Sequence, residues 1–296
     1  MLVQVTDRVG YVPGGTNIGV IRLDDQHVAL IDTGLNDTTA RKVLRAVHDE
    51  LGSTIASVIN THGHADHFGA NAFVHKRTGC DFRAPEIEAT VIGNPVLQLA
   101  LLFGGADPVD ALRNRFLLAE AGPMPQVIGI GRQEIAGVEI DVVPLGGHSP
   151  NQVGIVIDGV FFCADVVFPD AAIEKYRIPY LYGLTEHLAS LDRASHIAAS
   201  TVIPGHGPAL DTIHQSVVTN RNAVERVIGA VLDFVSVPVS TDAVCSGVFR
   251  RLDVPVNDAQ GYYLLRPTIS AYLAHLERVG EVSLMLEDRE VRWLRR

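Results

Sequence analysis

The feature that most restricts how this chain can fold is the segment THGHADH, which begins at Thr61 and places three histidines and one aspartate within six residues. An apolar run over residues 55–59 precedes it and predicts a strand that ends where these side chains begin. Imidazole and carboxylate groups at this density are typical of a metal site, and a polar loop without a ligand is the alternative. A metal site needs further donors from separate loops, so we expect a fold that brings other loops to this strand end.

Composition narrows the class of protein. The chain has 296 residues, 47% of them hydrophobic and 20% charged, which suffices for one large domain or for a main domain and a smaller one. Its net charge of −10 argues against a protein whose main task is to hold nucleic acid through a basic surface. The acidic balance favours a small-molecule substrate.

The cysteines and the N-terminal residues indicate the cellular compartment in which we expect the protein. Cys80, Cys163 and Cys245 are an odd number without CxxC spacing, which supports neither a disulfide framework nor a thiolate zinc site. The first residues lack a basic region followed by an apolar core, and no uninterrupted apolar stretch reaches about 18 residues. We therefore expect a cytoplasmic protein that makes no contact with a membrane.

Short strands alternate with helices over the first two thirds of the chain. The helices with amphipathic spacing are residues 38–51, 68–78 and 185–199. The predicted strands are residues 3–5, 17–23, 27–31, 55–59, 127–130, 133–135, 138–145, 152–157, 160–163 and 201–203.

Two regions depart from this alternation. Residues 85–126 predict an inserted helical pair broken at Gly104 and Gly105, with the second helix over 110–118; it is either a lid over a substrate pocket or a core or homodimer element. Residues 211–296 predict helices over 211–234, 240–252 and 258–279, followed by strands over 282–286 and 291–294. Because this order resembles a winged helix, we predict a first domain over 1–210 and a helical, winged-helix-like domain over 211–296.

Four further donors each follow an apolar, strand-like run. They are Asp32, His148, Asp165 and His206. Donors that recur at strand ends indicate one edge of a β-sandwich lined with metal ligands. Each of the four has an ordinary explanation when taken alone, as a turn or helix-capping residue.

Taken together, these residues resemble the metallo-β-lactamase superfamily over residues 1–211. The resemblance implies an α+β fold, an αββα sandwich, with two metal ions bound per chain. It assigns His62, His64 and His148 to one ion, Asp66, His67 and His206 to the other, and Asp165 to a bridge between them. Two Zn²⁺ ions are expected, although imidazole and carboxylate ligands also accept Fe or Mn. Such a pair of ions would share a hydroxide that acts as the nucleophile.

Other side chains receive supporting roles. Asp32 has no place among the ligands implied by the resemblance, and we expect it to orient a ligand histidine. Asp66 is a candidate proton shuttle as well as a ligand. Tyr180 and Tyr182 are candidates for contact with substrate or with a developing oxyanion, and plain packing is the alternative. The seven remaining histidines are expected to be ordinary surface or hydrogen-bonded residues.

The resemblance leaves the substrate open. Asp66 and His67 argue against the flavodiiron relatives, and Asp165 together with the absence of an export signal argues against antibiotic hydrolysis. The expected activity is hydrolysis of a small thioester, ester or lactone, as in glyoxalase II, where Arg221 and Arg226 could serve glutathione. The alternatives are an endoribonuclease or phosphodiesterase, and a mononuclear iron persulfide dioxygenase. For the endoribonuclease, the arginines that could contact RNA are Arg250, Arg251, Arg266, Arg289, Arg292, Arg295 and Arg296.

Overall fold

Two β-sheets form the centre of the molecule in the computed structural model, which describes all 296 residues. The first sheet has the order β1-β2-β3-β4-β5-β6-β7, and the second has the order β12-β11-β10-β9-β8. The first comprises Val3–Gln4 (β1), Val9–Val12 (β2), Ile18–Arg22 (β3), His27–Ile31 (β4), Thr54–Ile59 (β5), Asp81–Ala84 (β6) and Gln126–Val127 (β7). The second comprises Gly131–Ile135 (β8), Val138–Pro144 (β9), Val153–Ile157 (β10), Val160–Ala164 (β11) and Thr201–Pro204 (β12).

Helices cover the outer faces of both sheets and form most of the C-terminal part. They are Asp37–Leu51 (α1), Ala65–Phe68 (α2), Asn71–Thr78 (α3), Glu86–Gly93 (α4), Val96–Leu102 (α5), Asp170–Tyr176 (α6), Leu184–Ser195 (α7), His214–Phe234 (α8), Thr241–Arg251 (α9) and Ala259–Arg278 (α10). A third, small sheet consists of Val239–Ser240 (β13), Val282–Glu287 (β14) and Glu290–Arg295 (β15).

Strand β4 shows why the layers form. Its residues alternate between two cores: Ala29 and Ile31 pack between the two sheets, whereas Val28 and Leu30 pack against α1 and α3. Both faces of the strand are covered, so it is apolar at successive positions. A third core lies outside the second sheet, beneath α7 and α8. The four layers are those of the predicted αββα sandwich.

Parallel pairing sets the position of the site. Strands β4 and β5 run parallel with Ile31 opposite Ile59, and β11 and β12 run parallel with Ala164 opposite Pro204. The carboxyl ends of paired parallel strands lie at the same edge, so the loops that follow them meet there. The loops after β4, β5, β11 and β12 carry Asp32, the THGHADH segment, Asp165 and His206. His148 follows β9, which points to the same edge because β9 and β11 both run antiparallel to β10.

The insertion differs from its prediction. Both of its α-helices, α4 and α5, precede Gly104, and the predicted helix over 110–118 is wrong because only a 3-10 turn, Asp110–Leu112, forms there. The side chain of Asn114 accepts hydrogen bonds from the backbone N–H groups of Phe116 and Leu117, which offers the backbone an alternative to a helix. The apolar residues that suggested a helical face instead pack in a small cluster with α5.

Other elements are shorter than predicted or absent from the prediction. The strand predicted over 127–130 is the two-residue β7, and the structure adds β2, β6 and α6. The helix predicted over 68–78 is divided into α2 and α3. These elements are at most eight residues long, too short for a periodic pattern to identify.

The C-terminal part contains three helices and a two-stranded hairpin in the predicted order. Its core joins α8, α9 and α10 to Ile178, Leu181 and Leu184, which precede the predicted boundary. The winged-helix name and the boundary near Asp211 stay predictions. No helix in the molecule has both the length and the apolar character needed to cross a membrane.

Candidate metal centre

Seven predicted donors meet at the edge of the sandwich. Their ligand atoms form three overlapping groups, and within each group all atoms lie within 4.8 Å of one another. The groups are His62, His64 and His148; His62, His67 and Asp165; and Asp66, His67 and His206. The first and third are the two ligand sets that the sequence predicts, and the middle one contains the predicted bridging residue.

Asp32 and Thr61 orient two of the histidines. Asp32 Oδ2 accepts a hydrogen bond from His67 Nδ1 at 2.7 Å and another from the Thr61 hydroxyl at 2.8 Å. The Thr61 hydroxyl lies 3.0 Å from His62 Nδ1, from which it can accept. Because each Nδ1 has an oxygen partner, each Nε2 is directed at the centre, where a bound cation would take its lone pair.

Backbone carbonyls orient two more histidines in the same way. His148 Nδ1 donates to the carbonyl oxygen of Tyr180 at 3.0 Å, and His206 Nδ1 donates to that of Gly15 at 2.5 Å. Their Nε2 atoms therefore also face inward. Four of the five histidines thus share one arrangement, an Nδ1 with an oxygen partner and an Nε2 that faces the centre.

His64 is the exception, since it presents Nδ1. This atom lies 2.8 Å from His148 Nε2. Two nitrogen ligands of one zinc ion, each at 2.0–2.1 Å in tetrahedral geometry, lie about 3.3 Å apart. The two nitrogens are thus within hydrogen-bond distance, about 0.5 Å closer than two ligands of one zinc ion would be.

Asp165 lies between the two outer groups. Its Oδ1 is 3.4 Å from His67 Nε2, and its Oδ2 is 3.4 Å from His148 Nε2 and 3.2 Å from His206 Nε2. One carboxylate therefore contacts side chains of both groups. A side chain at Gly205 would not be tolerated, because a Cβ atom there would lie 1.9 Å from Asp165 Oδ1.

Three buried polar atoms in this centre have no hydrogen-bond partner: His62 Nε2, His67 Nε2 and Asp165 Oδ1. Buried polar atoms are rarely left unpaired. Cations bound at this edge of the sandwich would satisfy all three atoms. The donor set of imidazoles and carboxylates therefore fits one or two divalent metal ions of the zinc, iron or manganese type.

The two outer groups have opposite electrostatic character. Burial lowers the pKa values of all three histidines of the first group, that of His64 to about 3, so these imidazoles are neutral at pH 7 and able to bind a metal. In the other group, burial lowers the pKa of His67, but the charges of Asp165 and Asp32 outweigh it and raise that pKa to about 10. Asp165 likewise raises the pKa of His206 to about 12. The same negative charge would favour a bound cation.

The two tyrosines are placed differently. The ring of Tyr180 lies edge-on to His64 and His148, with centroids 5.3 and 5.6 Å away. Burial raises its pKa to about 12, so its hydroxyl is a hydrogen-bond donor at neutral pH. The side chain of Tyr182 is 52% exposed. The structure therefore brings Tyr180 against the centre and leaves Tyr182 at the surface.

Several residues at the site were not singled out in the sequence. The Asn17 side chain donates to the carbonyl oxygens of Pro204 and Gly207 and so holds the loop of His206, and the Thr16 hydroxyl donates to the carbonyl of Asp66. Glu88 binds two of the ligand loops. His187, expected to be ordinary, is fully buried, and its Nδ1 has no partner. No sequence signal marks these residues, since none belongs to a donor motif.

Comparisons with known proteins agree with this geometry. A family model described as the metallo-beta-lactamase superfamily matches residues 11–206. A hydroxyacylglutathione hydrolase of Thiobacillus denitrificans is 27% identical over 127 residues, which cover 43% of this chain and 38% of that protein. The chain therefore matches well under two thirds of this relative's length.

Solved structures show the same fold. A beta-lactamase domain protein from Burkholderia ambifaria gives a TM-score of 0.78 at 20% identity, covering 100% of this chain and 93% of that one. A metallo-beta-lactamase family protein from Thermus thermophilus gives 0.73 at 20% identity, covering 97% and 98%. A metallo-beta-lactamase from Pontibacter korlensis gives 0.56 at 16% identity, covering 76% and 98%. The first two likenesses extend over the C-terminal helices.

Proposed function

The chain belongs to the metallo-β-lactamase superfamily, and we propose that it is a two-metal hydrolase of a small thioester, ester or lactone. The observation that carries the proposal is the convergence of seven donor side chains in overlapping groups, with three of their atoms buried and unpaired. Zinc is the metal we propose, with His62, His64 and His148 holding one ion and Asp66, His67 and His206 the other. Asp165 would contact both.

The chemistry follows from these ligands. When bound, two such cations lower the pKa of a water molecule toward neutrality and polarise the scissile carbonyl. Asp32 fixes the imidazole of His67 directly and that of His62 through Thr61, so the ligands are oriented before substrate arrives. Asp66, 28% exposed at the mouth of the site, is placed to carry a proton between the centre and solvent.

Hydrolysis needs a hydrogen-bond donor for the oxygen of the scissile carbonyl. Tyr180 keeps its hydroxyl proton at neutral pH and stands against His64 and His148, so it is our candidate for contact with the substrate carbonyl. Tyr182, at the rim, is the weaker candidate for the same role.

Two observations favour a small acyl substrate over RNA. The curated relative in Thiobacillus denitrificans is named a hydroxyacylglutathione hydrolase, and its named substrate is a small acyl compound. The arginines that could face a phosphate backbone are partly engaged within the chain: Arg266 lies 2.8 Å from Asp242, and Arg292 pairs with Glu287 and Glu290. An arginine paired with a carboxylate is less available to replace the counterions of a phosphate backbone.

The test is a substrate panel with matched variants. S-lactoylglutathione, an acyl-CoA, a lactone and a labelled single-stranded RNA are offered to the wild type and to the double variant His64→Ala with Asp165→Ala. We expect hydrolysis of at least one acyl substrate, lost in the variant by more than about 100-fold. Cleavage of RNA with every acyl substrate inert, or a single iron ion per chain, would contradict the proposal.

A further inference from the structure

Glu88, in the first turn of α4, is a buried carboxylate outside the donor set. Its side chain is 1% exposed, and α4 belongs to the insertion rather than to the sandwich. It accepts three hydrogen bonds: Oε2 from the backbone N–H of Gly63 at 2.8 Å, and Oε1 from the Ser149 hydroxyl at 2.8 Å and the backbone N–H of Asn151 at 2.6 Å.

These partners lie on two different ligand loops. Gly63 stands between His62 and His64, and Ser149 follows His148 directly. Each oxygen of Glu88 therefore serves one loop, so a single side chain ties together the two loops that carry the three histidines of the first group.

The fit of α4 against this loop is close. A Cβ atom at Gly63 would lie 3.0 Å from Val91 Cγ1 and 3.1 Å from Glu88 Oε2. Burial raises the pKa of Glu88, and the three donors that surround it favour its charged form. A buried carboxylate satisfied on both oxygens is costly to remove, because its partners would lose their bonds together.

We propose that Glu88 is a positioning residue that sets the separation of His62, His64 and His148 and so determines the affinity of this chain for the metal ion they hold. The proposal rests on the proposed function only in taking these three histidines as one metal position. It also assigns a role to the insertion. Because movement of α4 would break all three bonds, this first helix of the insertion is tied to the two ligand loops.

The experiment measures zinc affinity, which is independent of any substrate. The metal-free full-length protein is titrated with Zn²⁺ in competition with a chromophoric chelator, and the two binding steps are assigned with His148→Ala and His206→Ala. The test variant is Glu88→Gln. Its amide oxygen can still accept hydrogen bonds from one loop, but its amide N–H groups would face the donors of the other loop. Glu86→Gln, exposed on the same helix, is the matched control.

We expect Glu88→Gln to weaken zinc affinity by about 10- to 100-fold at one binding step, the same step that His148→Ala weakens. The other step should keep its affinity, and Glu86→Gln should keep both. Ser149→Ala, which removes one of the three bonds, should weaken the same step to a smaller extent. The proposal is overturned if both steps keep their affinity, if both fall equally, or if the affected step is the one assigned to His206. Each of these outcomes is readable even if the protein hydrolyses none of the acyl substrates.

Discussion

At the residue scale, Asp32 supports two of the histidines of the centre from outside the donor set. It accepts from His67 and from both the backbone and hydroxyl of Thr61. Its backbone has φ of +64°, a left-handed conformation that aspartate tolerates better than most residues. The sequence placed Asp32 at a strand end and expected it to orient a histidine, but only the structure shows that it reaches two.

Replacing Asp32 by Asn should therefore weaken both metal positions. An amide nitrogen in place of Oδ2 would face two donors, His67 Nδ1 and the Thr61 hydroxyl, and in place of Oδ1 it would face the Thr61 backbone N–H, so the support of His67, of Thr61 or of both is lost. We expect zinc affinity to fall by about 10- to 100-fold, measured by chelator competition. Asp25→Asn, in an exposed turn, is the control and should change nothing. Equal affinities for wild type and Asp32→Asn would show that this support is dispensable.

At the scale of elements, the parallel pairs β4–β5 and β11–β12 explain why the donors could be predicted. Asp32, the THGHADH segment, Asp165 and His206 each follow an apolar strand, and the ends of such strands meet at one edge. The insertion could not be predicted in the same way. Glu88 in a first helical turn resembles an ordinary solvated or capping residue, and its burial depends on two loops that are distant in sequence.

The error over 110–118 has a comparable cause. The apolar residues of this stretch have helical spacing. However, the Asn114 side chain accepts a hydrogen bond from the backbone N–H of Phe116, and the apolar side chains pack in a cluster with α5. The apolar strands and the donor motifs therefore predicted the sandwich and the side chains that meet at its edge, whereas side-chain hydrogen bonds decided the structure of the insertion and the positions of the supporting residues Asn17, Thr16 and Glu88.

The loop after β12 offers a test at this scale. Gly205→Ala would place a methyl group against Asp165 and 3.0 Å from His67 Cε1, so Asp165 must move. We expect the variant to lose about one metal ion per chain, measured by elemental analysis, or to lose roughly 90% of its hydrolytic activity. The control is Gly229→Ala in α8, where an added Cβ atom meets no other atom. It should keep its metal content and activity, and its free energy of unfolding should rise by up to about 1 kcal/mol. An unchanged metal content in Gly205→Ala would mean that Asp165 is not held where the structure places it.

At the scale of the whole molecule, hydrogen bonds connect the C-terminal helices to the loops of the site. The Thr268 side chain in α10 is within hydrogen-bond distance of both the backbone nitrogen and oxygen of Leu181, at 3.1 and 3.2 Å. Leu181 follows Tyr180, whose carbonyl orients His148. Helix α10 thus supports His148 through one short segment.

Thr268→Val tests this link. The variant keeps the shape of the buried side chain but leaves the Leu181 backbone N–H without its partner, so we expect a loss of about 1–3 kcal/mol in the free energy of unfolding. We also expect a lower kcat, because the carbonyl that orients His148 is less firmly placed. Denaturant unfolding and steady-state kinetics measure the two effects. Thr38→Val, on the exposed first turn of α1, is the control. Wild-type stability in Thr268→Val would contradict the link.

Two metal ions, held by side chains at the edge of the sandwich, are proposed here to support hydrolysis. Stepwise addition of Zn²⁺ to the metal-free protein tests this, with the rate of acyl-substrate hydrolysis followed against the zinc bound per chain. We predict that the rate rises until two equivalents are bound and then stays constant. Full activity at one equivalent, or activity restored by a single iron ion and not by zinc, would contradict it.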